Sequence, residues 1–316
     1  ALVQHVAAAS EQPKPPPRPQ YVEVERFEAG SAEASAFLVE NGFVVIKGVL
    51  SPEECQKGVG LAWDFLEGMG TGVQRDDPAS WADEHWYPDA PTGIIGRFGI
   101  GQSRFLWHCR SAPTVKKAFA GIWGTDDLIT SFDGMCVYRP WQLNGSWKTA
   151  GSWFHTDQTP YAIKGYPGAS GMEREYVQGF VNLLATTPET GGNVVIPKSH
   201  KHFASLAERF YRPSRLSKKG KRIPPYMDYR AMAKEERPMF ETAIVAHLEA
   251  GDLFLWDSRT IHGNTAGPVS AAASAPAKRE EPSHAQAGEQ LIRCAAYVCM
   301  AQKSMVPQQE RAELSR

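Results

Sequence analysis

The sequence predicts a mainly β fold with flanking helices, in which a helical layer packs on a β-sandwich or barrel. Helix start signals are confined to the first 125 residues, and short strand patterns broken by Gly and Pro follow them. Strands and helices do not alternate regularly, which argues against a parallel α/β sheet. With 316 residues, of which 42% are hydrophobic, the chain can bury one sizeable core.

Three helices are predicted before the strands. The first extends from Ser31 to Asn41 and ends at Gly42, and the third extends from Pro113 to Trp123 and ends at Gly124. The second begins at the segment SPEE of residues 51–54, which combines an N-cap serine, a first-turn proline and a capping-box glutamate. It is expected to continue to about Glu67.

The predicted strands are short, and most contain β-branched or aromatic residues. They cover 134–138, 152–157, 177–185, 193–196, 243–248, 252–256 and 291–299.

Segments at both ends and one within the chain are predicted to lie outside the core. Residues 1–20 form a Pro-rich arm, with five prolines between 11 and 20, and we expect it to be disordered. Residues 267–289 lack any apolar period and are interpreted as an inserted flexible loop. The insert interrupts a single predicted domain over 21–306, and residues 307–316 are predicted to form a C-terminal tail.

Composition limits the function classes. The net charge of −1 provides no overall electrostatic basis for binding nucleic acid or a membrane surface, and no apolar run is long enough to span a bilayer. The five cysteines are odd in number and lack C-x-x-C spacing, which disfavours a disulfide framework and a thiolate zinc site. We therefore expect a soluble protein of the cytoplasm or another reducing intracellular compartment.

One group of residues has the composition of a metal site. His155 and Asp157 are two positions apart, so on a strand their side chains project from the same face. With His262 they supply the two imidazoles and one carboxylate of the facial triad found in non-haem Fe(II) oxygenases. A zinc hydrolase could use the same three ligands, but it would not require the arginine considered below.

The order of motifs around these residues resembles the phytanoyl-CoA dioxygenase family of Fe(II)/2-oxoglutarate-dependent oxygenases. The His-x-Asp of 155–157 is followed by GGNVVIPKSHK at 191–201 and GDLFLWDSRTIHGN at 251–264. Upstream, NGFVVI at 41–46 and LSPEE at 50–54 are similar to the usual opening of the family. The resemblance implies a double-stranded β-helix, which is a jelly-roll or cupin-like barrel.

The resemblance also implies Fe(II) at His155, Asp157 and His262, 2-oxoglutarate as co-substrate, and O2. Family members hold the far carboxylate of 2-oxoglutarate with an arginine after the second histidine. Arg293 is the candidate, because removal of the low-complexity insert at 267–289 brings it to the expected place. Arg259 is too close to His262, and Arg279 lies within the insert.

Further pocket residues are predicted from strand parity. Gln178 and Asn182 share one strand face and could contact 2-oxoglutarate or substrate. The alternative is that they face water or satisfy buried backbone groups. Trp153 has the same parity as His155, so it is a candidate pocket wall or a core residue. His200 is interpreted as part of a structural turn, and His85 and His108 as packing residues.

The predicted function is hydroxylation of a C–H bond in a small organic substrate, such as an acyl-CoA or another metabolite, with formation of succinate and CO2. The basic run 209–222 contains seven cations and no acid, and is either a solvated loop or a site for phosphate groups. Because of this basic run, a modified nucleobase is an alternative substrate. An amino acid is another. A jelly-roll module that binds metal without turnover is a third hypothesis, and the sequence sets no oligomeric state.

Overall fold

The structure is a computed structural model, and it describes residues 18–87, 92–151, 153–160, 176–210, 227–229, 237–268, 270–271 and 291–305. Most of the predicted Pro-rich arm, the basic run beyond residue 210, the insert from residue 272 and the C-terminal tail lie outside the described residues. The arm and the insert each contribute to a sheet where they enter the described part. Gln20 begins strand β1, and residues 270–271 form strand β14.

The helices in the described residues include all three that the sequence predicts. They are α1 (Ala32–Asn41), α2 (Pro52–Gly68), α3 (Arg104–Arg110), α4 (Pro113–Trp123), α5 (Phe203–Phe210) and α6 (Arg237–Phe240).

The strands are mostly shorter than the segments predicted for them. They are β1 (Gln20–Val22), β2 (Arg26–Phe27), β3 (Phe43–Ile46), β4 (Ile94–Ile95), β5 (Leu128–Thr130), β6 (Met135–Tyr138), β7 (His155–Thr156), β8 (Val177–Asn182), β9 (Gly191–Val195), β10 (Met227–Asp228), β11 (Ile244–Ala246), β12 (Leu253–Asp257), β13 (His262–Ala266), β14 (Ser270–Ala271), β15 (Arg293–Tyr297) and β16 (Met300–Gln302).

Two sheets face each other and form the double-stranded β-helix expected from the sequence. The first, which we call the site sheet, has the strand order β10-β7-β13-β9-β11-β1-β14. The second, the helix-backed sheet, has the order β2-β3-β12-β8-β15-β6-β4. Among the described residues no strand pairing joins the two sheets, so the architecture is a jelly-roll sandwich and not a closed barrel.

Alternating side chains divide the core into layers. One face of the helix-backed sheet, including Val44 and Leu255, packs against helices α1 to α4. Its other face, including Phe180 and Phe254, meets Val195 of the site sheet and fills the space between the sheets. The outer face of the site sheet packs under α5. The predicted helical layer on a sandwich is therefore confirmed.

The helix boundaries follow the predicted capping chemistry. The Ser31 hydroxyl accepts a hydrogen bond from the Ala34 amide, and α1 ends at the left-handed Gly42. At α2, Ser51 and Glu54 form the reciprocal capping box. These local signals set where the helices begin and end. The helices pack behind the helix-backed sheet, whose other face borders the interior.

No helix in the described part of the chain combines the length and the apolar character needed to cross a membrane. All five cysteines are described, and all are free.

Candidate metal centre

The two candidate histidines lie directly opposite each other on neighbouring strands of the site sheet. His155 on β7 pairs with His262 on β13, and their ring centroids are 4.3 Å apart. Asp157 follows the end of β7, so its carboxylate lies beside the two rings. A histidine pair separated by more than a hundred residues is thus brought together by strand register, while the carboxylate comes from the same local segment as the first histidine.

The three side chains converge on one point. Asp157 Oδ1 lies 3.3 Å from Nε2 of His155, and Oδ2 lies 3.1 Å from Nε2 of His262. The potential ligand atoms all lie within 4.8 Å of one another, which is compatible with three ligands around one ion. The described residues contain no second such group of His, Cys, Asp and Glu side chains.

Backbone carbonyls orient both imidazoles. Nδ1 of His155 lies 3.2 Å from the Trp153 carbonyl oxygen, and Nδ1 of His262 lies 3.0 Å from that of Thr260. A carbonyl oxygen can only accept, so each Nδ1 carries the proton and donates it. Nε2 of each ring is therefore the nitrogen that faces the Asp157 carboxylate, and it is the one available to a metal ion.

Indole rings hold the imidazoles from the sides. Trp153 stacks on His155 with a centroid separation of 4.6 Å and an interplanar angle of 18°. Trp256 lies 5.0 Å from His262. Trp153 is therefore a wall of the site, which is the first of the two roles that its strand parity suggests.

The electrostatics favour an ionised Asp157 carboxylate and a deprotonated His262. Burial alone would raise the pKa of Asp157, but His155 and His262 outweigh it and hold that pKa well below its usual range. Burial lowers the pKa of His262, and the charge of His155 lowers it further, against the opposing effect of Asp157. Deprotonated carboxylate and imidazole are the forms that bind a metal ion.

The PKSH segment of 197–200 positions the strand that carries His262. The Ser199 hydroxyl accepts a hydrogen bond of 2.8 Å from the Ile261 amide, and Nε2 of His200 lies 3.0 Å from the Val39 carbonyl. Gly42 lies beside them with φ = 79°, and a Cβ there would approach Nδ1 of His200 to 2.4 Å. His200 is therefore part of the turn that supports the site, as its motif predicts.

A cavity of about 270 Å³ opens at the triad and extends between the sheets. Its walls combine indole rings with several uncharged polar side chains and one further acid. The lining residues are Ile94, Asp133, Gly134, Trp153, His155, Asp157, Gln178, Gly179, Asn193, Trp256, His262, Gly263, Asn264, Tyr297 and Cys299.

Arg293 is buried between the sheets, at the start of β15. Its residue is 2% exposed, and its guanidinium carbon lies 4.9 Å from the ring centroid of Phe180 and 5.6 Å from that of Tyr138. Arg293 does not line the cavity itself, but Tyr297, on the same face of β15, does. A Cβ on Gly192 would lie 3.0 Å from Nη1, so the glycine leaves room for the guanidinium.

The Arg293 guanidinium has no hydrogen-bond acceptor within the described residues, at Nε, Nη1 or Nη2. The titratable groups that face it are the thiol of Cys136 and the phenols of Tyr138 and Tyr297, and burial raises the pKa of both phenols. Arg259 differs, because its guanidinium binds Asp257 through Nε at 2.9 Å and through Nη2 at 2.5 Å. Of the two arginines, Arg293 is therefore the one without an acidic partner in the described residues.

The two polar residues predicted on β8 have different surroundings in the structure. Gln178 lines the cavity, and its Oε1 lacks a partner in the described residues. Asn182 does not line the cavity, and its amide nitrogen donates to the carbonyl oxygens of Leu184 at 2.6 Å and Glu249 at 3.3 Å. Asn182 therefore satisfies buried backbone, which is the alternative that the sequence left open for it.

Sequence reasoning missed several residues of the cavity. Asn264 could have been found, because it lies two positions after His262 on one strand face. Tyr297 lies four positions after Arg293, also on one strand face. Asp133 and Asn193 carried no motif of their own, since the pairing of distant strands is what brings them to the site.

The remaining singled-out histidines lie away from the triad. Nε2 of His108 lies 2.9 Å from the Glu54 carbonyl oxygen, and Nδ1 of His85 lies 3.1 Å from that of Thr71. Neither residue lines the cavity.

Comparison with known proteins gives two curated relatives of similar extent. "Ava biosynthesis cluster protein O" of Aspergillus versicolor is 28% identical over 267 residues, covering 83% of this chain and 75% of the relative. A "Putative phytanoyl-CoA dioxygenase" of Dictyostelium discoideum is 27% identical over 255 residues, covering 72% of this chain and 69% of the relative.

Solved structures share the fold at low sequence identity. The non-heme alpha ketoglutarate dependent carbocyclase SnoK from nogalamycin biosynthesis is 18% identical with a TM-score of 0.52, covering 85% of this chain and 83% of that one. The epimerase SnoN, solved with Fe3+, alpha ketoglutarate and nogalamycin RO, is 13% identical with a TM-score of 0.50, covering 85% and 82%.

The family model described as Phytanoyl-CoA dioxygenase (PhyH) matches residues 38–272, which include all three candidate metal ligands. The expected resemblance is confirmed. The chain therefore belongs to the phytanoyl-CoA dioxygenase family and is a non-haem dioxygenase that uses Fe(II), 2-oxoglutarate and O2.

Proposed function

We propose that His155, Asp157 and His262 hold Fe(II), that Arg293 binds the far carboxylate of 2-oxoglutarate, and that the enzyme hydroxylates a C–H bond of a small organic substrate. Succinate and CO2 are the products from the co-substrate. The observation that carries the proposal is the combination of a convergent His₂-Asp set with a buried, unpaired arginine between the same two sheets.

The donor set fits Fe(II). Two neutral imidazole nitrogens and one carboxylate oxygen occupy one side of the ion and leave positions open for a chelating co-substrate and O2. The carbonyls behind His155 and His262 fix which ring nitrogen binds, and outer contacts of this kind normally contribute to metal affinity.

The surroundings of Arg293 fit a carboxylate. A buried guanidinium without a counter-ion is costly, and a bidentate pair with a carboxylate removes that cost. The Tyr138 hydroxyl, on the strand paired with β15, also lacks a hydrogen-bond partner in the described residues. Two donors without an acceptor, next to each other in an apolar interior, support the proposal that an anion binds here.

The residues of this chain position and shield the reactants. The metal supplies the activation of O2 when it is bound, and Arg293 sets how 2-oxoglutarate lies relative to the triad. Trp153 and Trp256 restrict the rotation of the imidazoles and exclude water from one side of the cavity. Gln178 and Asn264 are placed to orient polar groups of the reactants.

The substrate is proposed to be a small molecule, because the cavity between the sheets has a volume of only about 270 Å³. Acyl-CoA esters, free acids, amino acids and methylated nucleobases are the classes to be compared. Since the two fold relatives described above are a carbocyclase and an epimerase, the product itself must be identified by mass spectrometry.

The proposal is tested by succinate formation from 2-oxoglutarate with Fe(II), O2 and each substrate class. We expect one class to increase succinate in proportion to a product with one added oxygen atom. Absence of Fe(II)-dependent succinate under all conditions would support the metal-binding module without turnover. A product without added oxygen would contradict hydroxylation but retain the dioxygenase chemistry.

A further inference from the structure

A second cavity, of about 400 Å³, lies apart from the metal centre. None of the described residues that line it also lines the cavity at the triad. Its wall includes Val137, which belongs to the core layer between the helix-backed sheet and the helices, whereas Cys136 and Tyr138 face the interior between the sheets. The second cavity therefore lies on the outer side of β6, and we call it the outer pocket. Its volume falls within the usual range of small-molecule sites, about 300–1,000 Å³.

Three aromatic side chains contribute to the wall of the outer pocket. Trp86, Tyr87 and Trp147 line it and are only 4%, 5% and 8% exposed. Trp86 packs against Trp63 with ring centroids 6.3 Å apart, and Trp147 packs against Trp81 at 6.2 Å. Because the core fixes both indoles, they form a preorganised wall for a planar apolar group.

The Arg139 guanidinium is held between two of these indoles. Its Cζ lies 5.0 Å from the ring centroid of Trp86 and 5.2 Å from that of Trp147. Nη1 donates to the Trp81 carbonyl oxygen and Nη2 to the Asp83 carboxylate, each at 2.7 Å. The charge of Arg139 is therefore matched by Asp83, which also lines the outer pocket.

The consecutive residues Trp147, Lys148 and Thr149 line the outer pocket and offer three donors without an acceptor in the described residues. Nε1 of Trp147 is buried and has no hydrogen-bond partner there. The Lys148 ammonium lies 4.4 Å from the ring centroid of Trp141 and forms no ion pair with a described acid. The Thr149 hydroxyl forms no hydrogen bond with a described residue.

The charges in the lining of the outer pocket do not cancel. Among the described lining residues the cations are Arg139 and Lys148, and Asp83 is the single acid. Asp83 is already paired with Arg139, so the positive charge of Lys148 is left over. A ligand with one negative charge would balance it, and charge-assisted hydrogen bonds to the free donors would add to the attraction.

We propose that the outer pocket is a second ligand site, which binds an aromatic carboxylate with its ring against the aromatic wall and its carboxylate at residues 147–149. The indoles favour a planar apolar group, and the free donors and the remaining positive charge favour an anion. The inference does not depend on the proposed function, because neither the triad nor Arg293 takes part. Binding should therefore occur without metal and without 2-oxoglutarate.

The test uses benzoate as the probe. Benzyl alcohol has the same ring without the charge, and acetate has the same carboxylate without the ring. Each is titrated into the metal-free protein and followed by ligand-observed NMR. We expect benzoate to bind at least about tenfold more tightly than either other probe, and added salt to weaken benzoate more than benzyl alcohol.

Variants locate the bound probe. Lys148→Met should weaken benzoate binding about threefold to tenfold, because it keeps the length of the side chain and removes the charge. Lys116→Met is the matched control and should change nothing, since Lys116 is exposed and does not line the outer pocket. Ala150→Trp should abolish binding, because Ala150 lines the pocket and an indole there would occupy its volume.

Arg293 is another cation to which a carboxylate can bind, so the benzoate titration is repeated on Arg293→Met, where the affinity should be unchanged. Loss of binding in Arg293→Met, equal affinity for benzoate and benzyl alcohol, or full benzoate affinity in Lys148→Met would overturn the inference. No binding of any probe would overturn it as well. The comparison of Lys148→Met with Lys116→Met remains decisive if Ala150→Trp does not fold, since both lysines are exposed.

Discussion

Replacing Arg293 with methionine should make the metal-free protein more stable while it loses its affinity for 2-oxoglutarate. Arg293 is 2% exposed and its guanidinium lacks an acceptor in the described residues, so folding removes a charge from water without a paired group. Methionine has a comparable length and carries no charge. By analogy with apolar replacements of buried ionic groups, the free energy of unfolding should rise by about 1–4 kcal/mol.

The same substitution removes the charged partner of the 2-oxoglutarate carboxylate. Loss of one member of a buried charged pair costs about 2–5 kcal/mol, which corresponds to a Kd for 2-oxoglutarate raised about 30-fold to several thousandfold. Arg293→Lys should recover part of the affinity, because an ammonium keeps the charge but lacks the planar fork.

Two assays read the two effects separately. Urea denaturation of the metal-free protein measures stability, and isothermal titration of 2-oxoglutarate into the Zn(II)-loaded protein measures binding. Arg259→Ala is the control and should leave the Kd nearly unchanged, because Arg259 is already paired with Asp257. The reasoning is refuted if Arg293→Met lowers stability and leaves 2-oxoglutarate binding intact.

Three further predictions follow from the fold and the triad. His155→Ala or His262→Ala should abolish stoichiometric Fe(II) binding in metal analysis while the circular dichroism spectrum is kept, and full metal content in either variant would exclude that ligand. Gly42→Ala should lower the free energy of unfolding by about 1–3 kcal/mol, because φ is 79° and a Cβ would lie 2.4 Å from the nearest side-chain atom. Gly48→Ala is the control and should lower it less, because no atom lies within 4 Å of the added Cβ. Replacing residues 272–289 by a short Gly-Ser linker should change stability by less than about 1 kcal/mol in urea denaturation, and unfolding of this variant would show that the segment belongs to the core.

The parts of the site that follow from local sequence could be predicted. His155 and Asp157 are two residues apart, so their shared direction depends only on an extended backbone. The helix starts at Ser31 and Ser51 likewise depend on groups within one turn. These elements appear in the structure with boundaries within a few residues of the prediction.

The parts that depend on long-range pairing could not be predicted in the same way. Strand β13 was not predicted, although it carries His262, because its sequence HGNTA lacks a strong strand pattern and is stabilised by pairing with β7 and β9. Parity correctly places Gln178 and Asn182 on one face of β8. It does not determine how far along the strand the cavity extends, and Asn182 lies beyond that limit.

Asp133 shows a further limit of motif reasoning. Nothing in the SFDG segment of 131–134 marks an acid that faces a metal site. Its place in the cavity lining depends on the close approach of β4 to β6, where a Cβ on Gly134 would lie 2.1 Å from the Ile95 carbonyl oxygen. Only the assembled sheet brings that carboxylate to the cavity.

The central claim is that His155, Asp157 and His262 hold Fe(II) and that Arg293, buried between the same two sheets, anchors 2-oxoglutarate. The most direct measurement is a crystal structure of the protein with Fe(II) and 2-oxoglutarate, prepared without O2, with anomalous data collected at the iron edge. We predict an anomalous peak between Nε2 of the two histidines and the Asp157 carboxylate. We also predict a bidentate ion pair between a 2-oxoglutarate carboxylate and the Arg293 guanidinium. An iron peak elsewhere, or 2-oxoglutarate held by residues other than Arg293, would contradict the account.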